Sequence, residues 1–236
     1  MQVVILAGGR GTRLRSVTGD LPKSLATVAG RPFIEHQFKL LAASGIRRVV
    51  LCTGFGSRIL EEHVGDGSIW GLEVNCSRDL PERPSGTGGA IVQALPLLEE
   101  HFLVLYGDSY LRVDYSAVAA EFFSRHVPAM MCVYRNRGKW DRSNVRIRGN
   151  RVVHFRKDTP LGEANWIDYG LSAFHRRVFE LLPRDPMPLD LASVQSALVD
   201  RGEMSAYRVT RRFFEIGRPE GLQKLERYLT SGSGVV

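Results

Sequence analysis

The stretch Val3-Val4-Ile5-Leu6-Ala7-Gly8-Gly9-Arg10-Gly11-Thr12-Arg13 decides the fold, because it joins an apolar run directly to a glycine-rich loop. The apolar run has the length and the β-branched content of a buried strand. Glycine lacks a Cβ and tolerates positive φ, so such a loop lets backbone N–H groups approach a polyphosphate closely. Arg13 and the nearby Lys23 add positive charge. The stretch therefore predicts a strand followed by a phosphate-binding loop.

Two other phosphate-binding motifs are excluded by their spacing. A dinucleotide-binding G-x-G-x-x-G loop would need a third glycine where Leu14 stands. A P-loop needs a glycine immediately before Lys-Ser, and Pro22 occupies that position. The glycines alone would also suit an ordinary strand-to-loop turn. The Pro22-Lys23 pair that follows them makes the complete string far more specific.

The first half of the chain alternates short apolar runs with helical patterns. The apolar runs are rich in Val, Leu and Ile and cover 2–7, 47–53, 72–77 and 102–106. The helical patterns cover 34–44, 57–64 and 88–98. This alternation predicts an α/β, Rossmann-like fold, in which helices flank a mostly parallel sheet and ligands bind at the carboxyl ends of the strands.

The pattern changes after residue 113. The predicted elements are a helix over 114–126, strands over 129–134, 144–147, 152–155 and 166–174, and helices over 189–200 and 219–229. Because few helices separate these strands, we expect them to form a small antiparallel excursion. We predict one domain over 1–230, with halves of about 1–113 and 114–230, and a tail over 231–236.

Composition excludes several classes of protein. A chain of 236 residues with 44% hydrophobic content is long enough for one well-buried α/β domain. No apolar run approaches the ~20 residues of a membrane span, and the first residues lack the pattern of a signal peptide. We therefore expect a cytoplasmic protein that does not bind membranes. The net charge is +7, but the arginines are dispersed, which favours an anionic small molecule over nucleic acid.

The positions of the cysteines and histidines in the sequence do not indicate a metal centre. The three cysteines are scattered singly in β-rich segments, without metal-ligand spacing, and are expected to be buried free thiols: Cys52, Cys76 and Cys132. The six histidines are expected to form no cluster and to be structural or solvent-exposed: His36, His63, His101, His126, His154 and His175.

The glycine loop with its downstream Pro22-Lys23 resembles the N-terminal signature of the sugar-1-phosphate nucleotidyltransferases. Further landmarks follow in that family's order, namely Gly86-Thr87-Gly88-Gly89-Ala90, Gly107-Asp108, Lys157, Gly170 and Phe214-Glu215-Ile216-Gly217. Segments 13–17 and 30–33 are most similar to the heptose-1-phosphate guanylyltransferase branch. The resemblance implies that a sugar 1-phosphate attacks the α-phosphorus of a nucleoside triphosphate, releasing pyrophosphate and an activated sugar for polysaccharide or glycoconjugate assembly.

The resemblance also implies which residues hold the nucleotide. Arg13, Lys23 and Asp108 are the implied catalytic residues. The implied nucleotide-binding residues are Leu6, Ala7, Gly8, Gly9, Gly11, Thr12, Arg13, Gly86, Thr87 and Gly88. The loop 79–85 is implied to face the base and ribose, and we expect the glycines of 86–89 to leave room for a purine. A plain helix N-terminus is the alternative for this glycine segment.

A carboxylate at the end of a central strand suits Mg²⁺, so Asp108 is a predicted metal ligand, with a turn cap as the alternative. The resemblance implies a second ligand at Glu215, where the family has Asp. The implied residues for the sugar phosphate are Lys157, Asp168, Gly170 and Tyr106. A strand-end salt bridge is the alternative for Asp168. Arg156 replaces a family Glu that binds sugar hydroxyls, which predicts altered sugar recognition.

Three functions follow from this interpretation. The leading hypothesis is a Mg²⁺-dependent guanylyltransferase that uses GTP with a heptose or mannose 1-phosphate. A uridylyl-, cytidylyl- or thymidylyltransferase acting on another hexose 1-phosphate is the first alternative. The second is a catalytically inactive nucleotide-sugar sensor, but such a sensor has no reason to keep Arg13, Lys23, Asp108 and Glu215 together. A homodimer is compatible with either enzyme.

Overall fold

The computed structural model describes residues 1–79, 82, 84–140, 142–182 and 188–231. The loop predicted to face the base, 79–85, is described only in part. Of the predicted tail, only Ser231 belongs to the described residues, and 232–236 lie outside them.

The described residues form short strands and helices along the whole chain. The strands are β1 (Gln2–Leu6), β2 (Thr27–Val28), β3 (Arg31–Pro32), β4 (Arg48–Thr53), β5 (Glu73–Arg78), β6 (His101–Tyr106), β7 (Ser109–Tyr110), β8 (Ala129–Arg135), β9 (Val145–Arg148), β10 (Arg151–Phe155), β11 (Trp166–His175), β12 (Met204–Val209) and β13 (Phe214–Glu215). The α-helices are α1 (Arg15–Thr18), α2 (Phe33–Ala43), α3 (Ser57–Val64), α4 (Gly86–Ala94), α5 (Tyr115–Arg125), α6 (Arg177–Glu180), α7 (Leu191–Asp200) and α8 (Pro219–Thr230).

One mixed sheet runs through the described part of the chain, with its nine strands in the order β5-β4-β1-β6-β11-β8-β12-β10-β9. The first four of these strands are parallel. Strand β11 runs antiparallel to both β6 and β8, and β12 is parallel to β8. Strands β9 and β10 pair antiparallel at one edge. The strands predicted as a small antiparallel excursion are part of this mixed sheet.

The predicted elements lie close to their observed bounds, apart from the helix over 88–98, whereas β12 and the short elements α1, α6, β2, β3, β7 and β13 were not predicted. The predicted helix over 88–98 begins at Gly86 and its α-helical part ends at Ala94, and a 3₁₀ turn that contains Pro96 follows. Proline has no N–H to continue an α-helix, which explains the change of pitch there. Strand β12 was not predicted, because Ser205 and Arg208 interrupt its apolar pattern.

Two apolar clusters cover the two faces of the sheet. Side chains alternate along a strand, so Val3 and Ile5 of β1 join one cluster, whereas Val4 and Leu6 join the other. Helices α2, α3 and α5 pack on the first face, and α4 and α7 pack on the second. A third cluster packs α8 against the segment that follows the glycine loop, including Leu14. None of the described helices has the length and apolar character needed to cross a membrane.

Candidate active site

The glycine loop lies where the parallel strands end. The Ala7 N–H donates to the Cys52 carbonyl over 2.8 Å, which ties the start of the loop to β4. The next residues pass so close to the segment after β4 that a Cβ on Gly54 would lie 2.7 Å from the Gly8 carbonyl oxygen. Only glycine permits this approach of two backbones. The ends of neighbouring strands therefore determine the path of the loop.

A cavity of about 370 Å³, the nucleotide cavity, opens beside the loop. The predicted nucleotide-binding residues that line it are Leu6, Ala7, Gly8, Gly9, Gly86 and Thr87. Lys23, Tyr106 and Asp108 also line it, so the structure brings together residues that are far apart in the sequence. Thr12 lines an adjoining cavity of about 300 Å³ that also contacts Gly8.

Lys23 and Asp108 form the charged centre of the site. The Lys23 Nζ donates to the Asp108 Oδ2 over 2.6 Å, and each side chain is only 21% exposed. Gly11, at a φ of +59°, lies against the stem of Lys23, because a Cβ there would be 3.1 Å from the Lys23 Cβ. The predicted phosphate loop thus packs directly on the predicted catalytic lysine.

A two-stranded sheet brings Asp108 and Glu215 to one place. Glu215 of β13 pairs with Ser109 of β7, and the Ile216 N–H donates to the Asp108 carbonyl over 2.9 Å. A Cβ on Gly217 would lie 3.3 Å from the Asp108 Oδ2, so glycine leaves room beside the carboxylate oxygen that accepts the Lys23 ammonium. Both carboxylates line a cavity of about 540 Å³.

This larger cavity, the basic cavity, shares Asp108 with the nucleotide cavity. Its cationic lining residues are Arg13, Lys139, Arg212, Arg218 and Lys224. Within the described part of the chain, none of these five cations forms an ion pair. The Arg212 guanidinium carbon lies 3.5 Å from the centre of the Trp140 ring, which holds its charge in place. An excess of unpaired positive charge suits a polyanionic ligand.

Arg13 was predicted from the sequence as a site residue, whereas the other four cations of the basic cavity were not. Lys139 and Arg212 are in loops that carry no motif, and Lys224 is in α8. Only the packing of these segments against the end of the sheet brings the cations together.

Tyr106, Asp168 and Gly170 lie together between β6 and β11. The Gly170 N–H donates to the Asp168 Oδ1 over 3.0 Å, and burial raises the pKa of Asp168 to about 6. Burial and the carboxylate of Asp168 also raise the pKa of the Tyr106 hydroxyl. Asp168 accepts a backbone hydrogen bond and forms no ion pair with a described residue. The arrangement offers a carboxylate and a neutral phenol to hydroxyl groups of a ligand.

Lys157 is joined to the nucleotide cavity through Asp190. Lys157 forms an ion pair with Asp190, which also accepts the Thr87 hydroxyl over 3.0 Å. Burial alone would raise the pKa of Asp190, but the hydrogen bonds from Lys157 and from the Ala192 N–H keep it below its usual value. The predicted sugar-phosphate lysine therefore lies beside the rim of the nucleotide cavity.

The glycines of 86–89 do not leave the space that was predicted for a purine. A Cβ on Gly86, whose φ is +78°, would lie 2.5 Å from the Leu189 carbonyl oxygen. A Cβ on Gly88 would lie 3.0 Å from the Leu189 Cγ, and the Gly88 N–H donates to the Leu189 carbonyl over 2.8 Å. This part of the prediction was wrong, because these two glycines make room for the chain that leads into α7.

Arg156 faces away from the predicted sugar residues. It donates to both carboxylate oxygens of Asp200, over 3.0 and 2.9 Å, at the end of α7. Arg156 therefore adds no cation to the sugar side of the site, and the neighbouring Lys157 is the cation on that side.

We expect Lys157→Ala to raise the KM for the sugar phosphate by about tenfold or more, with a much smaller effect on nucleotide affinity, since a lost charge-assisted hydrogen bond costs about 1.5–3 kcal/mol. Separate titrations of the two ligands would measure this. Arg156→Ala is the matched control, because it removes an adjacent cation that faces Asp200, and it is expected to leave both affinities unchanged. An equal loss of affinity for both ligands in Lys157→Ala would assign Lys157 a structural role.

The expectation that the histidines form no cluster was wrong. Strand pairing places His101 directly opposite His175, with ring centroids 4.7 Å apart. The three cysteines are free, as predicted, and Cys52 and Cys132 are buried, but the prediction of a buried thiol was wrong for Cys76, which is exposed near the end of the edge strand β5.

The chain is similar to known nucleotidyltransferases. The family model described as nucleotidyl transferase matches residues 2–231. D-glycero-alpha-D-manno-heptose 1-phosphate guanylyltransferase of Aneurinibacillus thermoaerophilus is 32% identical over 185 residues, which are 76% of this chain and 77% of the relative. N-acetylmuramate alpha-1-phosphate uridylyltransferase of Neisseria meningitidis serogroup B is 37% identical over 141 residues, 58% of this chain and 60% of the relative.

Among solved structures, HddC from Yersinia pseudotuberculosis complexed with GMP-PN has a TM-score of 0.78 and 25% identity. The alignment covers 97% of this chain and 99% of that one. The family model thus matches nearly the whole sequence, and the fold is shared with a solved structure over nearly its full length. The chain therefore belongs to the nucleotidyl transferase family, as one of its sugar-1-phosphate nucleotidyltransferases.

Proposed function

We propose that the protein transfers the guanylyl group of GTP to a heptose or hexose 1-phosphate of manno configuration, with Mg²⁺, and releases pyrophosphate. The observation that carries the proposal is the position of the Lys23–Asp108 pair, where the nucleotide cavity meets the basic cavity. A polyphosphate that extends from one cavity to the other would pass both charges.

The chemistry needs positioning and charge neutralisation. The attacking group is already an anionic phosphate oxygen, so no side chain has to remove a proton from it. Lys157 would hold the sugar phosphate beside Thr87, and Arg13 with the other cations of the basic cavity would neutralise the β- and γ-phosphates. The attacking and leaving oxygens of a phosphoryl transfer lie roughly in line. Separate binding regions for the sugar phosphate and for the β- and γ-phosphates suit that geometry.

Asp108 and Glu215 fit a Mg²⁺ ion. Both carboxylates line the basic cavity, the pairing of β7 with β13 brings their segments together, and Gly217 leaves room beside the Asp108 Oδ2. Mg²⁺ typically binds one or two carboxylates together with phosphate oxygens and water. When bound, the ion would neutralise charge on the phosphates. Glu215 is one methylene longer than the family's Asp but has the same charge.

The choice of GTP and of a manno-configured sugar rests on relatives. The relative from Aneurinibacillus thermoaerophilus is a heptose 1-phosphate guanylyltransferase, and it aligns with three quarters of this chain. The Neisseria meningitidis relative is a uridylyltransferase that aligns over a shorter part. Because Leu189 occupies the space beside Gly86 and Gly88, those glycines give no support to a purine. A uridylyl transfer is therefore the second candidate.

Pyrophosphate release across a matrix of nucleotides and sugar 1-phosphates tests the proposal. GTP with a heptose or mannose 1-phosphate is expected to give kcat/KM values at least about tenfold above those with UTP, CTP or dTTP, since a site with hydrogen bonds matched to one base discriminates strongly. A clear preference for UTP would favour the second candidate. Absence of turnover with every pair, together with tight binding of a nucleotide sugar, would indicate a sensor instead.

A further inference from the structure

Glu100, His101 and His175 form a cluster at the opposite end of β6 from Asp108. The ligand atoms of the three side chains all lie within 4.8 Å of one another. His101 and His175 are direct partners on the antiparallel strands β6 and β11. Directly opposite residues of such a pair project from the same face of the sheet. The strand register therefore brings the two imidazoles together.

The packing around His101 holds its ring in place. The ring makes edge contacts with Phe122 and Phe123 of α5, at centroid distances of 5.9 and 5.2 Å. Within the described residues, neither nitrogen of the His101 ring has a hydrogen-bond partner. A ring that is already held by packing loses little rotamer entropy when it binds a ligand. His101 thus presents an unused donor atom in a nearly fixed position.

His175 is oriented by the backbone that follows it. Its Nδ1 accepts the Arg177 N–H over 3.1 Å, and its Nε2 lies 3.3 Å from the Glu100 Oε1. Glu100 is mostly exposed, so its carboxylate is accessible from solvent. The Nε2 atom of His175 and the carboxylate of Glu100 therefore face one another beside His101.

We propose that Glu100, His101 and His175 bind a divalent transition metal, for which Zn²⁺ is the best match. Two imidazole nitrogens and one carboxylate oxygen are typical Zn²⁺ ligands, and water completes the coordination in sites of three protein ligands. Strand β6 spans six residues between this cluster and the active site, a distance of roughly 17 Å at the usual rise per residue. The metal therefore joins the beginning of β6 to the end of β11 and takes no part in nucleotidyl transfer.

Metal binding changes the tautomer of His175. In the metal-free protein, Nδ1 accepts a hydrogen bond from Arg177, so the neutral ring carries its proton on Nε2. When Nε2 binds a metal, that proton moves to Nδ1, and the hydrogen bond from Arg177 is lost. The loss of a supporting hydrogen bond typically weakens metal affinity by about 10- to 100-fold. The change of tautomer also provides a direct signal in the ¹⁵N spectrum of the ring.

The experiment is a titration of the tag-free full-length protein with Zn²⁺ alone, followed by thermal melting and by NMR of the histidine ring nitrogens. A Zn²⁺ concentration one hundred times the Kd is expected to raise the Tm by about 5 °C or more. The ring ¹⁵N signals of His101 and His175 are expected to shift, and the shift at His175 is expected to report the new tautomer.

Two variants and a control make the test specific. His101→Asn and His175→Asn are each expected to weaken Zn²⁺ affinity at least tenfold, and the Asn amide oxygen at 175 keeps an acceptor for the Arg177 N–H. His126→Asn is the matched control, because His126 lines the same surface cavity but is outside the three-residue cluster. An equal Tm rise in wild type and His101→Asn, or unchanged ring signals at saturating Zn²⁺, would overturn the proposal. A Tm rise that Asp108→Asn abolishes would place the ion in the active site.

Discussion

Asp108→Asn is expected to lower kcat by a factor on the order of a thousand or more, which corresponds to about 4 kcal/mol of transition-state stabilisation. Asn keeps the shape of the side chain and an oxygen for the Lys23 ammonium, but it removes the negative charge. That charge is what the proposed Mg²⁺ needs where the two cavities meet. The loss should therefore fall on turnover, with little effect on the fold.

Pyrophosphate release at saturating substrates and saturating Mg²⁺ measures this effect, and the Tm of the variant controls for unfolding. Asp114→Asn provides a comparison, because Asp114 caps α5 away from both cavities. That variant is expected to keep both its stability and its kcat, because Asn caps a helix about as well as Asp. Near-wild-type turnover in Asp108→Asn would contradict the assignment of Asp108 as a catalytic residue.

Glu215→Gln is expected to lower kcat by about 100-fold, whereas Glu215→Asp is expected to stay within about tenfold of wild type. The reason is that charge matters more than reach when water molecules complete the coordination of Mg²⁺. The backbone of Glu215 is held in place independently of its side chain, because a Cβ on Gly221 of α8 would lie 2.0 Å from the Glu215 carbonyl oxygen. Neither substitution should displace β13.

The Mg²⁺ dependence of turnover is the measurement that separates the two Glu215 variants. Glu215→Asp is expected to need more Mg²⁺ for half-maximal activity, and Glu215→Gln is expected to respond little even at high concentrations. Glu220→Gln is the matched control, since Glu220 lines the same basic cavity on α8 and is assigned no role as a ligand. Equal activity of Glu215→Gln and wild type would place the metal elsewhere.

Local patterns were sufficient to predict most of the fold. Helix α3 was predicted with its observed bounds at Ser57 and Val64, because the following Gly65 ends the apolar periodicity. Strand β12 could not be predicted from local pattern, since it is formed by pairing with β8 and β10, which are distant in the sequence. The same limit applies to Gly86, because the small size of glycine suggested open space for a base. A glycine indicates that no Cβ fits there, but not which atoms are close.

The sequence by itself determined the strand-loop start and predicted a phosphate-binding role for its glycines, with Lys23 and Asp108 as candidate site residues, because these motifs consist of residues that are neighbours along the chain. Only the tertiary structure decided which distant side chains meet. The 2.6 Å contact between Lys23 and Asp108 joins residues separated by 85 positions. The pairing of His101 with His175 depends on the register of two strands, and the basic cavity depends on the docking of loops and α8. Such contacts are set by packing across the sheet, which no local pattern encodes.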